Sequence, residues 1–214
     1  LGATSSKGGT RSREITIGGE TTLPFLHFEG AMPHRPVVGV EIQDTVPAWP
    51  QPLLAAWGDA VNDPAAWAKK AEEAGADLIV FHLFSVTDPA MAATMVKNVL
   101  QATTLPLIVR GPGQAEADNA LLVSVCEAAA GERIAVGLCE DKNYRTLVAA
   151  ALANGHLVIA TTPIDVNLAK QLNILISDMR MDLNRVLMDP TTGALGYGLE
   201  YTYSVMERLR LAAL

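Results

Sequence analysis

Short apolar runs alternate with alanine-rich stretches from residue 37 to the end of the chain. The runs are continuous rather than alternating, which is typical of strands buried on both faces of a parallel sheet. They predict six strands, at 37–42, 77–83, 105–110, 134–138, 156–160 and 186–188. The stretches that follow them carry apolar residues at helical spacing and predict helices at 63–74, 90–101, 115–129, 142–153, 164–179 and 200–213.

Capping residues support this alternation. Asn62 is a suitable N-cap for the first helix, Asp63 is a cap or first-turn acid, and Pro64 suits the first turn. Gly75 can take the left-handed conformation that ends a helix. Strand–helix units in series imply parallel strands with right-handed crossovers.

The predicted fold is therefore a parallel (β/α)8 TIM barrel. A closed barrel has eight strand–helix units in about 250 residues, and this chain supplies six in 214. We interpret it as a barrel without its C-terminal units, since it starts at Leu1 and stops at Leu214 within a helical pattern. A doubly wound open sheet is the rival fold, but no GxGxxG follows any predicted strand.

The predicted barrel domain, 37–214, follows two smaller segments. Residues 1–13 are Gly-, Ser- and Thr-rich with basic residues, and they predict a disordered leader. Residues 14–36 form the lead-in to the barrel. Within it, Gly18 and Gly19 predict a tight turn between hairpin arms at 14–17 and 20–23.

Composition narrows the range of functions. The formal charge of −7 argues against a nucleic-acid partner or an anionic membrane surface, both of which require a basic patch. No run is apolar for 18 residues, so no transmembrane helix is predicted. Cys126 and Cys139 are isolated, which predicts ordinary buried thiols in a reducing cytoplasm rather than a disulfide or an iron–sulfur site.

Candidate ligand groups follow the strands, because the carboxyl ends of barrel strands form the usual site. We expect a cofactor-binding surface in the loops after the fifth and sixth strands. It comprises Thr162, Asp165, Asn167, Asp189, Thr191, Thr192 and Gly193. Thr162 is equally well explained as a helix cap. The earlier loops contribute a similar set: Gln43, Asp44, Thr45, Ser85, Thr87, Asp88, Arg110, Gly111, Gly113, Glu140, Asp141 and Asn143.

Metal and hydrolase chemistry have little support in the sequence. The histidines, His27, His34, His82 and His156, do not occur at metal-ligand spacing, and we expect all four to be structural. The motifs GxSxG, GxxxxGK[ST] and HExxH are missing from the sequence. We therefore predict neither a metal site nor catalytic residues on this chain.

Four longer stretches carry a specific resemblance. They are GGETTLPFLHFEG (18–30), NDPAAWAKK with EEAGADLI (62–79), TPIDVNLAKQLN (162–173) and DPTTGALGYGLEYTYSVMERLRLAAL (189–214). Together they resemble the CO dehydrogenase/acetyl-CoA synthase delta subunit family, the small subunit of the corrinoid iron–sulfur protein. The resemblance runs from residue 18 to 214, with residues 1–13 outside it.

The resemblance implies a TIM barrel that pairs with a large (gamma) subunit. The large subunit is expected to carry a 4Fe–4S cluster, and a corrinoid (cobalamin) is expected between the two subunits. The pair would pass a methyl group from methyltetrahydrofolate or methyltetrahydropterin toward acetyl-CoA synthase in the reductive acetyl-CoA (Wood–Ljungdahl) pathway. It would contact the methyltransferase and acetyl-CoA synthase transiently. The small subunit is thus expected to be a methyl-transfer subunit rather than an independent catalyst.

Two other functions remain open at this point. A pterin-dependent corrinoid methyltransferase on the same fold would bind its pterin through hydrogen bonds with Asp44, Asn167 and Asp189. A barrel lyase or aldolase would require a Schiff-base lysine or a metal cluster at the strand ends. Lys142 is the one lysine close to such a position.

Overall fold

Six parallel strands form one sheet in sequential order in the computed structural model, which describes residues 1–19, 28 and 30–213. The strands are β1 (Gly39–Gln43), β2 (Leu78–His82), β3 (Leu107–Arg110), β4 (Ala135–Cys139), β5 (Leu157–Thr161) and β6 (Val186–Asp189). Each strand pairs in parallel with the next. This is the strand order of a TIM barrel, and it confirms the predicted fold class.

A helix follows each strand and covers the outer face of the sheet. The helices are α1 (Gln51–Trp57), α2 (Pro64–Glu73), α3 (Pro89–Ala102), α4 (Ala115–Ala128), α5 (Tyr144–Asn154), α6 (Val166–Asp178) and α7 (Leu199–Ala213). The sequence predicted all of these except α1. That short helix carries Pro52 in its first turn and contributes no fully buried residue, so its apolar periodicity is weak.

An aspartate caps the start of three of the helices. Asp63, Asp88 and Asp165 accept hydrogen bonds from backbone N–H groups in the first turns of α2, α3 and α6. The prediction that Asn62 caps α2 is wrong by one residue, because Asn62 ends a 3₁₀ turn that leads into Asp63. Gly75 has a φ of 93°, as predicted for the residue that ends α2.

The core has two layers, one on each face of the sheet. The larger layer lies between sheet and helices and contains Trp67, Phe81 and Leu147. The smaller layer lies on the inner face and contains Leu78, Ile108, Ala135 and Leu157, against which Leu1 packs. Because both faces are buried, the strands read as continuous apolar runs in the sequence.

The structure places residues 1–13 against the amino end of the sheet, in place of the predicted disordered leader. Leu1 joins the inner core layer, and the Gly2 N–H donates to the Arg133 carbonyl at 2.9 Å. Arg11 is buried and donates to three backbone carbonyls, in the last turn of α3 and in the segment between α3 and β3. These contacts supply the order that the polar composition does not suggest.

The predicted hairpin arm at 14–17 is not a strand. Its Ile15 N–H donates to the Leu1 carbonyl at 2.8 Å, so this segment runs beside the first residues of the chain. The other predicted arm, 20–23, lies outside the described residues.

His156 lies fully buried just before β5, on the side of the sheet that faces α4. Its Nε2 is 2.8 Å from the Cys126 carbonyl oxygen, which can only accept, so Nε2 carries the proton in the neutral ring. Nδ1 is buried without a partner among the described residues. Burial, together with the nearby Arg185 charge, lowers the pKa of His156. The ring is structural, as predicted.

We expect His156 to make the fold sensitive to acid. Because its pKa is lowered in the folded state, the unfolded chain takes up the proton first, near the ordinary value of about 6.5. The stability that the neutral ring contributes is complete above that pH and falls as the pH drops below it. In urea titrations between pH 7.5 and pH 5, the free energy of unfolding of His156→Gln should fall less steeply with decreasing pH than that of the wild-type chain. His34→Gln is the matched control, and an unchanged slope for His156→Gln would contradict this assignment.

Both cysteines are free and buried, as predicted. Burial raises the pKa of the Cys126 thiol and of the Cys139 thiol to about 12. The thiols are therefore protonated and unreactive at neutral pH.

Candidate ligand site at the carboxyl end of the sheet

The inner face of the sheet changes from apolar to polar at its carboxyl end. Glu41 of β1 lies at the centre of this polar layer. Its carboxylate accepts from Arg110 Nη1 at 3.2 Å and from Gln43 Nε2 at 3.2 Å, and it lies 3.6 Å from His82 Nδ1. Four side chains from three neighbouring strands therefore meet at the mouth of the barrel.

This cluster leaves donors available to a ligand. Arg110 uses one of its five N–H groups on Glu41, and its buried Nε has no partner among the described residues. The Glu41 charge is balanced by Arg110, so the cluster can hydrogen-bond neutral acceptors such as carbonyl oxygens. Gln43 and Arg110 were predicted from the sequence, whereas Glu41 was not and His82 was expected to be structural. A glutamate inside an otherwise apolar strand was the available signal.

Asp44 holds the loop after β2 in place. Its carboxylate accepts backbone N–H groups of Phe84, Ser85 and Val86 at distances of 2.6–3.0 Å, and the Ser85 hydroxyl at 3.2 Å. Both oxygens are thereby engaged within the protein, which argues against the hypothesis that Asp44 binds a pterin. The loop presents Phe84 to solvent with 60% of its surface exposed, and the ring meets His82 edge-on.

Removing this carboxylate should loosen the loop. Asp44→Ala leaves three N–H groups without their acceptor, and we expect a loss of about 1–2 kcal/mol in the free energy of unfolding. Hydrogen exchange of the amides at 84–86 should quicken at the same time. Asp44→Asn retains one acceptor oxygen and is the matched control with a smaller effect. Equal exchange rates in Asp44→Ala and wild type would show that the carboxylate does not hold the loop.

A buried carboxylate supports the loop after β3. Asp118 accepts the Gly113 N–H at 3.1 Å, and burial raises the pKa of its carboxyl group, with the Glu140 charge adding to the effect. A Cβ on Gly111 would lie 2.1 Å from Asp118 Oδ1, so only glycine allows this approach. The loop is thus fixed beside Arg110.

The loops after β5 and β6 are joined by backbone contacts. The Thr162 N–H donates to the Asp189 carbonyl and the Ile164 N–H to the Pro190 carbonyl, both at 3.0 Å, while the Thr191 hydroxyl donates to the Thr162 carbonyl. Ile164 and Thr191 have positive φ values of 34° and 56°. Such values are strained for β-branched residues and concentrate at functional sites.

The seven predicted binding residues occupy different environments within these loops. Asp165 caps α6, and Asn167 is exposed with its backbone N–H on that cap. Asp189 accepts from the Thr191 N–H at 3.0 Å and from the Thr161 hydroxyl at 3.4 Å. Thr162 is buried, and the explanation of Thr162 as a helix cap is wrong, because Asp165 caps α6.

The remaining three predicted residues lie farther along the loop after β6. Thr191 and Thr192 are exposed. The Gly193 N–H donates to the Thr202 hydroxyl at 2.7 Å. A Cβ on Gly193 would lie 2.4 Å from the Gly198 carbonyl oxygen, so the glycine allows this long loop to close on itself.

A cleft of about 310 Å³ opens beside the mouth, between α6 and the loops after β4, β5 and β6. Predicted residues Thr162 and Thr191 line it, together with Glu140, Gln171 and an apolar wall from α6. No cluster of three metal-ligating side chains is found in the part of the chain that the structure describes. Within the same residues, no helix is long and apolar enough to cross a membrane.

The fold is shared with a solved TIM-barrel enzyme. Dihydropteroate synthase from Xanthomonas albilineans, solved with 4-aminobenzoic acid, superposes with a TM-score of 0.53 over 75% of this chain and 61% of its own. The sequence identity is 17%, so the likeness concerns architecture alone. The chain is a TIM-barrel-type protein with a polar mouth.

Sequence comparisons define the family. The family described as CO dehydrogenase/acetyl-CoA synthase delta subunit matches residues 6–214, and this chain belongs to it. The acetyl-CoA decarbonylase/synthase complex subunit delta of Archaeoglobus fulgidus is 38% identical, and that of Methanopyrus kandleri 39%. The Methanosarcina thermophila subunit delta 1 is 38% identical.

These alignments extend the resemblance to the start of the chain. All three relatives align with 100% of this chain, including residues 1–13, which sequence analysis placed outside the resemblance. The aligned part is 49%, 55% and 51% of the relatives' own lengths, so the chain spans about half of each.

Proposed function

We propose that this chain is the barrel part of a corrinoid methyl carrier. In this proposal the barrel mouth covers a corrinoid held against a large subunit, which carries the 4Fe–4S cluster. The pair passes a methyl group from methyltetrahydrofolate or methyltetrahydropterin toward acetyl-CoA synthase. The relatives' names, which describe subunits of an acetyl-CoA decarbonylase/synthase complex, support a role as one subunit among partners.

The observation that carries the proposal is the surface around the mouth. A polar layer of Glu41, His82 and Arg110 is flanked by exposed apolar side chains in the loops after the strands. Phe84, Leu195 and Tyr197 are 60%, 86% and 87% exposed. Exposed apolar and aromatic groups around a polar centre are typical of a surface that a partner covers.

The side chains at the mouth fit the periphery of a corrin ring. That ring is fringed by carboxamide arms, which need both hydrogen-bond donors and acceptors. Arg110 and Gln43 can donate to amide oxygens, while carboxylates and hydroxyls can accept from amide N–H groups. When bound, the corrinoid supplies the cobalt that carries the methyl group. The protein residues position the ring and exclude water.

Co-production of the full-length protein with its large subunit tests the proposal. We expect a one-to-one complex with one cobalt per pair, a corrinoid absorption spectrum and a 4Fe–4S signal. The barrel chain purified alone should contain no cobalt and show neither the corrinoid absorption nor the 4Fe–4S signal. A barrel chain that turned over methyltetrahydrofolate with free cobalamin, without the large subunit, would overturn the proposal in favour of a pterin-dependent methyltransferase.

A further inference from the structure

The cleft beside the mouth has one apolar and one polar wall. Leu168, Leu172 and Leu175 of α6 form the apolar wall, since their spacing places them on one face of the helix. Pro163 extends this wall at the entrance. A methylene chain would be shielded from water along this side.

The polar wall contains groups without partners in the protein. Thr162 is only 5% exposed, and within the described residues its hydroxyl makes no hydrogen bond. Glu140 and Gln171 also line the cleft, and their side chains form no hydrogen bond or ion pair with any described residue. A buried hydroxyl that opens into a cleft without a partner is suited to a ligand.

These groups complement a primary carboxamide. The Glu140 carboxylate accepts from an amide N–H₂, and the Thr162 hydroxyl and the Gln171 amide can donate to its carbonyl oxygen. The leucine wall matches the short methylene stem that such an arm carries. Asp141 and Lys142 also line the cleft. A ligand carboxylate placed against Glu140 would be repelled by it and could not donate a hydrogen bond to it, whereas a carboxamide N–H₂ can.

We propose that this cleft binds one carboxamide arm of the corrinoid and so fixes the rotation of the ring over the mouth. The assignment rests on the proposed function, since it requires a corrinoid at the mouth. Thr162 and Thr191 of the predicted binding set line this cleft, whereas Asp165 and Asn167 are not among its lining residues. Thr191, one of the strained positions, is part of the cleft lining.

Matched corrinoids test the arm directly. The full-length complex, stripped of its cofactor, is titrated with cobinamide and with the derivatives in which one arm at a time is hydrolysed to a carboxylate. One derivative should bind the wild-type complex about tenfold more weakly than cobinamide, and Glu140→Gln should abolish that difference. Asp178→Asn, at the far end of α6, should leave the difference unchanged.

Steric and hydroxyl variants provide a second readout. Leu172→Trp fills the cleft and should weaken cobinamide binding about tenfold, and Thr162→Val should weaken it severalfold. Ile174→Trp, outside the cleft on the same helix, should have no effect. Thermal melting of each complex confirms that it is folded.

The outcomes separate this inference from the proposed function. If cobinamide binds the wild-type complex but the arm preference persists in Glu140→Gln and Leu172→Trp has no effect, the cleft is not the arm site. The carrier role would then stand without it. If the wild-type complex binds no corrinoid at all, the proposed function fails and this inference fails with it.

Discussion

Arg11→Met should lower the free energy of unfolding by about 3–5 kcal/mol, because it removes a buried charge that holds the amino end of the sheet together. The guanidinium donates to the carbonyls of Leu100, Thr103 and Leu105 at 2.6–3.2 Å. It also forms an ion pair with Glu132 at 2.8 Å, and its side chain is 1% exposed. The substitution leaves three carbonyls without this donor and deprives the Glu132 carboxylate of its cationic partner.

Urea unfolding of the purified chain measures this loss. Lys7→Met is the matched control: Lys7 also pairs with a glutamate, Glu14, at 2.7 Å, but its side chain is 57% exposed. Exposed pairs contribute between about 0 and 1 kcal/mol, so the control should change little. Similar small losses for Arg11→Met and Lys7→Met would show that residues 1–13 do not stabilise the sheet.

Charge introduced around the mouth should disrupt pairing with the large subunit. We expect Phe84→Asp and Tyr197→Asp each to weaken the complex about 100-fold, or nearly 3 kcal/mol. Each would place a carboxylate where an exposed aromatic ring is expected to be buried on association. Because both rings are exposed in the isolated chain, stability of the chain itself should change little.

Leu183→Asp provides the control for this pair of variants. Leu183 is also exposed, but it precedes β6 and so lies at the opposite end of the sheet. Affinities measured by interferometry with immobilised large subunit would compare the three variants. A Leu183→Asp effect as large as that of Phe84→Asp would place the partner elsewhere.

The strand–helix order could be predicted because local pattern and burial agree. Val158 and Ala160 face the helices while Leu157 and Ile159 face the inner layer, so β5 is apolar on both sides and easily recognised. The same agreement holds for the predicted helices with strong apolar faces. The short helix α1 lacks such a face and was missed.

The ordering of residues 1–13 could not be predicted, because its causes lie far away in the chain. Arg11 binds carbonyls 89–94 positions later, and Thr10 binds Glu132, 122 positions later. Composition reports only local tendencies, and a Gly-, Ser- and Thr-rich segment resembles a disordered one unless such partners are known.

Only part of the candidate site could be predicted, because some of its contacts also join residues that are far apart in the chain. The rule that ligands bind at strand ends identified the loops that contain Thr162 and Thr191. It did not separate Asp165, which caps a helix, from residues that line the cleft. The Glu41 cluster depends on the register of β1, β2 and β3, which places Gln43, His82 and Arg110 in one row.

Hydrogen exchange of the full-length barrel chain, free and in complex with the large subunit, tests the central claim most directly. We expect slower exchange in the complex for the loops at 84–86, 162–168 and 191–198. Exchange at residues 2–13, at the opposite end of the sheet, should be unchanged. Protection confined to residues 2–13, with the strand-end loops unaffected, would contradict the claim that the barrel mouth faces the partner.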